Sequence, residues 1–396
     1  MFAPLEGVRV IDLAGQRGAY TGRLLADLGA DVIRVVRGAE PLSDVGPHVQ
    51  TPDGTTVSAF ELFVNLNKRS VLLDAADNEG LAALVATADV VVHTMTWDEL
   101  ADCGLDQATL SRIAPRAVIT SVLPFGADGP RSGFAGDDLT QLAAGGLLCL
   151  GGYPDSEPIA VHGGQSDLGA ALVATTGILL ALIGRRHGRH VDQVDVSAQE
   201  TVAGALEDAI PEYDLTGVVR RRRGDRAREA GTGTYPCADG YVAVVAGRMG
   251  TAAGWAALTT WMVEAGVEGA DEVASEVWLD FNHRQLPESI DRFEKVFAGF
   301  AADRTRERLY EEGQRRGIAI APVNQVHELF ESPQLQARRF FVEVTGGAVP
   351  SVRVPGRPYR VDGDTEFVRR AAPIAGQHTH EVLAELLHGD NQRSGA

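Results

Sequence analysis

The chain is poor in several features that mark whole classes of protein. It holds three cysteines, Cys103, Cys149 and Cys237, widely spaced and odd in number. That argues against a disulfide framework and against a zinc-binding spacing, and it fits a reducing, cytoplasmic setting. Positive charge is short: 36 Lys and Arg stand against 54 Asp and Glu, a net charge of −18. A field of that sign repels nucleic acid and anionic membranes, so neither is an expected partner. The opening MFAPLEGVRVIDLAG lacks the basic and long apolar regions of a signal peptide. The most apolar run, Leu168–Ile183, is shorter than the roughly 18 residues a membrane span needs, and it reads as a buried core helix.

What is present is ordinary globular composition, 44% hydrophobic and 23% charged over 396 residues, enough for two domains. The first third alternates β-branched runs with helical spacing. Gly7–Leu13, Asp31–Val36, Ser70–Leu73, Asp89–His93 and Ala117–Val122 read as strands, apolar on both faces and joined by helical patterns, and Gln193–Val196 after the long apolar run reads as a further short strand. That pattern predicts an α/β fold with a parallel sheet covered on both sides. Asp239-Gly240 between two strand-like runs predicts a hairpin. The partition expected is a large Rossmann-like domain over 1–200, a linker over 201–225 containing Arg220–Arg223, a smaller α+β domain over 226–320, and a return to the large domain over 321–396.

Candidate chemistry clusters where strands meet helices. Gly15-Gln16-Arg17-Gly18 does not match the dinucleotide fingerprint G-x-G-x-x-G, and reads as a packing turn or an anion loop. Arg34, Arg37 and Asn67-Lys68-Arg69 fall at the ligand edge of the sheet, as solvated charge or as a polyphosphate site. Asp137-Asp138 read as helix caps, with a metal or acid/base pair as the alternative. Asp167 stands in His162-Gly-Gly-Gln-Ser-Asp167 before the apolar run. Asp is a favoured N-cap, and the same placement suits a nucleophile, because glycines admit a bulky substrate and the helix terminus favours the carboxylate. Local sequence leaves both open. No nucleophile elbow and no H-E-x-x-H metal signature is present, and no metal is expected.

The order of motifs resembles the family III CoA-transferases, the CaiB/BaiF superfamily that includes formyl-CoA and carnitine CoA-transferases and the 2-methylacyl-CoA racemases. The likeness runs through Leu5–Asp12, Leu25–Arg34, Asn67–Asp74, Phe125–Pro130 with Asp138, Asp167 through Ser197, Tyr235–Gly240, Ile320–Val323 and Ser332–Arg338. It implies a Rossmann-like large domain built from both termini, a small domain, and an interlocked homodimer of ring-like subunits. It makes Asp167 the catalytic aspartate, attacking an acyl-CoA to form a mixed anhydride and then an aspartyl-CoA thioester that a carboxylic acid discharges. It places CoA, a substrate and not a tightly bound cofactor, against Gln16, Arg37, Asn67, Lys68, Thr94 and Met95. Backbone amides near Gly163, Gly164 and Gly231-Thr232-Gly233 become candidate oxyanion donors.

The chain departs from the pattern at Val36, where relatives carry Glu, at Thr94–Asp98, which replaces an Asn-Phe-Arg-Pro-Gly-like loop, and at Asp102, where some carry Arg. Asp137 takes the place of the racemase histidine, which favours transfer over racemisation. Racemisation and a CoA-binding protein with little turnover are the alternatives.

Overall fold

The computed structural model describes residues 2–38, 44–51, 54, 56–224, 227–247, 252–364 and 367–393. The chain divides into two units, the first comprising Met1–Cys149, Ile159–Arg220 and Pro333–Ala396, the second Leu150–Pro158 and Arg221–Ser332.

The strands of the first 200 residues are β1 (Arg9–Leu13), β2 (Asp31–Arg37), β3 (His48–Gln50), β4 (Thr56–Ser58), β5 (Arg69–Leu73), β6 (Val90–His93), β7 (Val118–Leu123) and β8 (Gln193–Ser197). Six of them form one sheet in the order β5-β2-β1-β6-β7-β8. Every pairing in it is parallel, with Ile11 opposite Ile33 on one side and Val91 on the other. The runs that read as buried on both faces, with the short strand at 193–197, therefore form a parallel sheet, each within two residues of its sequence limits. The small hairpin of β3 and β4 has no strong sequence signal, being three residues a side and largely exposed.

Two helices cover one face. Gln16–Asp27 and Gln165–Arg186 set Leu25, Ala26, Ala170, Ala174 and Ile178 against Val10, Val32, Val90 and Val118. The other face is covered by shorter helices, whose Leu81, Leu84, Leu100 and Leu110 meet Ile11, Ile33 and Val91. The apolar run expected as a buried core helix lies in helix Gln165–Arg186, which enters the core along one face only. It has 22 residues, enough in length and composition to cross a membrane, yet its Ala170, Ala174, Ile178 and Ala181 stripe packs inward on the sheet. Leu172, Val173, Leu180 and Ile183 remain exposed on its outer face.

The C-terminal segment returns to this unit through charge. Arg69, on the edge strand, binds Asp31 at 2.6 Å, Glu381 at 2.9 Å and Glu385 at 2.6 Å, the last two on helix Thr379–Arg393. Residues 201–220, expected as linker, instead carry the end of helix Ala198–Gly204 and all of Ala209–Thr216, where Arg220 pairs with Asp208 and Glu212. The first unit also carries the hairpin β12 (Phe341–Gly346) and β13 (Val349–Pro355).

The second unit holds the antiparallel sheet of β9 (Thr232–Cys237), β10 (Gly240–Val245) and β11 (Ala319–Pro322), ordered β11-β10-β9. Cys237 faces Gly240 across the turn, so Asp239-Gly240 does mark a hairpin. Its core is aromatic, with Trp255 stacked on Trp278 at 5.9 Å and Phe293, Phe297 and Phe300 packed in sequence.

Candidate functional site

Strand order reverses between β1 and β6, and in open α/β sheets that reversal opens a crevice beyond the carboxyl ends of the two strands. The turn after β1 is Ala14-Gly15, and the turn after β6 begins at Thr94. The Gly15 amide donates to Thr94 Oγ1 at 2.9 Å and ties the two turns together. Gly18, one turn into the first helix, packs so closely that a Cβ would lie 2.8 Å from Ala14 Cβ and 3.0 Å from Thr94 Cγ2. The glycines of this loop are therefore packing glycines.

Asp167 enters from helix Gln165–Arg186. It is not the N-cap: that position is Gly164, which makes no side-chain capping bond, and Asp167 is the third helical residue. The cap reading of Asp167 is thereby overturned. The work is done from outside by Asp138, whose Oδ1 accepts from Ser166 N at 2.7 Å and Ser166 Oγ at 2.8 Å. Asp137 caps its own helix, Asp138–Ala144, in a reciprocal box with Thr140. Both members of that pair are caps, on two different helices. Asp138→Ala is expected to lower stability by about 1–2 kcal/mol by freeing the first turn that carries Asp167. Chemical denaturation checks it, and an unchanged midpoint would deny Asp138 this part.

Asp167 is buried, with 6% of the residue exposed. Gln16 Nε2 donates to Oδ2 at 3.2 Å, and Arg17 Nε lies 3.4 Å from Oδ1 without forming a hydrogen bond. Among the described residues Oδ1 has no hydrogen-bond partner at all, which is uncommon for a buried carboxylate. Burial pushes the Asp167 pKa above the ordinary carboxylate range; Arg17 opposes the rise, Asp138 adds to it, and the Gln16 hydrogen bond opposes it. A buried carboxylate with one unbonded oxygen, at the positive end of a helix, can accept an electrophile.

The expected CoA contacts separate into two groups. Gln16 and Thr94 do stand at the crevice. Met95 follows them, its side chain packed partly into the core and its carbonyl accepting from His93 Nδ1 at 2.9 Å. Burial holds the pKa of His93 down to about 4, so the ring stays neutral. Arg37 ends β2 on the same edge of the sheet, with its guanidinium bound to Asn78 Oδ1 at 2.7 Å. Asn67 and Lys68 are corrections. Asn67 is buried, with its amide donating to Asp27 and to the Phe367 carbonyl, and its oxygen accepting from the amides of Arg369 and Arg370. Lys68 has no exposed surface, and its ammonium reaches Asp12 Oδ2 and the Ala19 carbonyl, each at 2.8 Å. Gly22 leaves room for that pair, since a Cβ there would fall 2.3 Å from Asp12 Oδ2. These two residues hold the fold and offer no donor to a ligand in this conformation.

Gly163 and Gly164 lie at the start of the Asp167 helix, Gly163 with φ of 80°. Gly231 belongs to the second unit, where a Cβ would meet the Trp255 ring at 2.8 Å, so packing accounts for it. The replaced loop at 94–98 is ordered: Thr96 caps helix Trp97–Asp102 in a reciprocal box with Glu99, and Asp102 is the exposed end of that helix. Arg17 follows Gln16 on the same first turn and carries no sequence signal of its own beyond that place. Among the described residues no group of three or more His, Cys, Asp or Glu could hold a metal ion. A cavity of about 700 Å³, lined by Leu5, Asp89, Arg116, Leu182, Arg185 and His190, opens where the strands begin, at the other end of the sheet from Asp167.

Fold and site together define a doubly wound α/β protein with a buried acidic group at its switch point. A family model described as CoA-transferase family III matches residues 5–379, and the chain belongs to that family. It is 36% identical to succinyl-CoA:(R)-benzylsuccinate CoA-transferase subunit BbsE of Thauera aromatica, over 95% of this chain and 93% of that one. It is 28% identical to succinate–glutarate CoA-transferase of Agrobacterium fabrum, over 97% and 96%. A CAIB/BAIF family protein from Brucella suis has a similar structure, with a TM-score of 0.82 at 26% identity, covering 98% of this chain and all of that one. The chain is a CoA-transferase whose substrates are CoA thioesters.

Proposed function

We propose that the chain moves CoA from an acyl-CoA donor to a carboxylic acid by covalent relay through Asp167. The buried Oδ1 of Asp167, ion-paired with Arg17 at 3.4 Å and accepting no hydrogen bond among the described residues, is the observation that carries this reading. The oxygen attacks the thioester carbon, the C–S bond breaks, and CoA leaves as thiolate, giving a mixed anhydride. The thiolate attacks the aspartyl Cγ and expels the donor acid, giving an aspartyl-CoA thioester. The acceptor carboxylate attacks the same carbon and releases the thiolate, which attacks the new acyl carbon and restores the Asp167 carboxylate. Each step is an acyl transfer that balances without an outside reagent. Gln16 and the helix terminus steady the charge on the aspartyl oxygens.

Relatives named for succinyl-CoA or succinate support succinate as one acid of the pair. Labelled succinate mixed with unlabelled succinyl-CoA, with no second acid present, is expected to carry label into the thioester. Absence of exchange contradicts the relay with this donor. The outer face of helix Gln165–Arg186, with Leu172, Val173, Leu180 and Ile183 exposed, supports burial against a second copy, as the homodimer expected for the family requires. A sedimentation mass of one chain contradicts that assembly, and a requirement for an unlike subunit replaces it.

A further inference from the structure

We propose that Arg17 is the carboxylate-binding residue of the reacting centre, holding Asp167 in the resting enzyme and the substrate carboxylates whenever Asp167 is acylated. This rests on the covalent role of Asp167.

Arg17 is the second residue of helix Gln16–Asp27, and its Nη2 donates to the Gly136 carbonyl, which anchors the guanidinium. Its Nε is buried and ion-paired at 3.4 Å with Asp167 Oδ1, and among the described residues neither atom makes a hydrogen bond. Buried polar atoms nearly always find partners. Here the two groups form an ion pair at 3.4 Å that lacks hydrogen-bond geometry, which leaves a donor on Nε and an acceptor on Oδ1 for a third group. Asp137 and Asp138 act on Asp167 as like charges, and Arg17 is the cation that acts against them.

The chemistry explains why a cation is required after Asp167 has reacted. Acylation of Asp167 removes its negative charge, and one other anion is then present at each stage. First it is the CoA thiolate, next the departing donor carboxylate, then the arriving acceptor carboxylate. The acceptor must reach Asp167 Cγ within the field of Asp137 and Asp138, which act on Asp167 as like charges, and a further anion there is disfavoured unless a cation meets it. A guanidinium suits the task, because its planar fork matches a carboxylate with two donors and it cannot deprotonate. Acid specificity follows: the site takes anionic carboxylates as acceptors, and a neutral nucleophile gains nothing from Arg17.

The test compares two ways of discharging the same intermediate in Arg17→Gln. Intact-mass analysis after incubation with succinyl-CoA is expected to show the Asp167 adduct, as in the parent. Transfer to a carboxylic acid is expected to fall roughly 100-fold in kcat/KM, chiefly through KM for the acid. Capture of the adduct by hydroxylamine, a neutral nucleophile, is expected to fall by less than about 5-fold. Arg17→Lys, which keeps the charge and loses the fork, is expected to recover part of the carboxylate reaction with hydroxylamine capture unchanged. Equal losses with acid and hydroxylamine would assign Arg17 to Asp167 alone and overturn the proposal, as would no loss with either. An absent adduct in the parent overturns the covalent reading of Asp167, and this inference with it.

Discussion

Asp167→Ala is expected to lose CoA transfer by about 10³-fold or more in kcat while leaving the fold intact, because the covalent route disappears and no neighbouring group replaces it. Stability is expected to change little, since Asp167 makes no cap bond and its removal takes a costly buried carboxylate out of the helix end. Activity and stability therefore separate at this residue. If Asp167 were structural, the substitution would lower the unfolding midpoint and leave turnover in the surviving protein. A pH profile adds a second reading. The nucleophile is the ionised carboxylate, and burial raises its pKa, so activity is expected to fall with decreasing pH through a midpoint above that of an ordinary aspartate.

Lys68→Ala is expected to do the reverse. Its ammonium is fully buried on Asp12, and removing it leaves the Asp12 carboxylate, 1% exposed, with the Ala14 amide as its one remaining hydrogen bond among the described residues. Breaking one side of a buried pair typically costs about 3–5 kcal/mol, because the remaining charge is stranded. Denaturant unfolding reads this directly. The double substitution Asp12→Asn with Lys68→Met is expected to recover much of the loss, since it strands no charge. KM for acyl-CoA is expected to stay near the parent value in whatever protein folds. A large rise in that KM with an unchanged midpoint would restore Lys68 as a phosphate ligand and contradict its place in the core.

The two residues show what can be read from sequence and what cannot. The parallel sheet was legible because β6 and β7 are apolar on both faces, and such runs have few other uses. The same logic reached only half of Leu168–Ile183: an apolar run marks a helix that packs on the core, and does not tell which of its faces stays exposed. Asn67-Lys68-Arg69 reads as a cationic patch in any linear view. Only the tertiary fold shows Lys68 turned under the first helix toward Asp12, fifty-six positions earlier, while Arg69 goes to Asp31 and the C-terminal helix. Asp167 was legible as an acid at a helix start, but its cap alternative could be dismissed only by seeing Asp138 do the capping from 28 positions away. Arg17 carried no local signal beyond its place after Gln16, because a guanidinium facing a distant carboxylate is a product of topology.

The central claim is that Asp167 becomes covalently attached during transfer. Intact-protein mass spectrometry after incubation with succinyl-CoA and a panel of other acyl-CoAs, followed by peptide mapping, tests it most directly. The account predicts a CoA thioester or acyl adduct on the peptide carrying Asp167, sensitive to hydroxylamine and absent from Asp167→Ala. An unmodified Asp167 peptide in protein that is turning over substrate would contradict it.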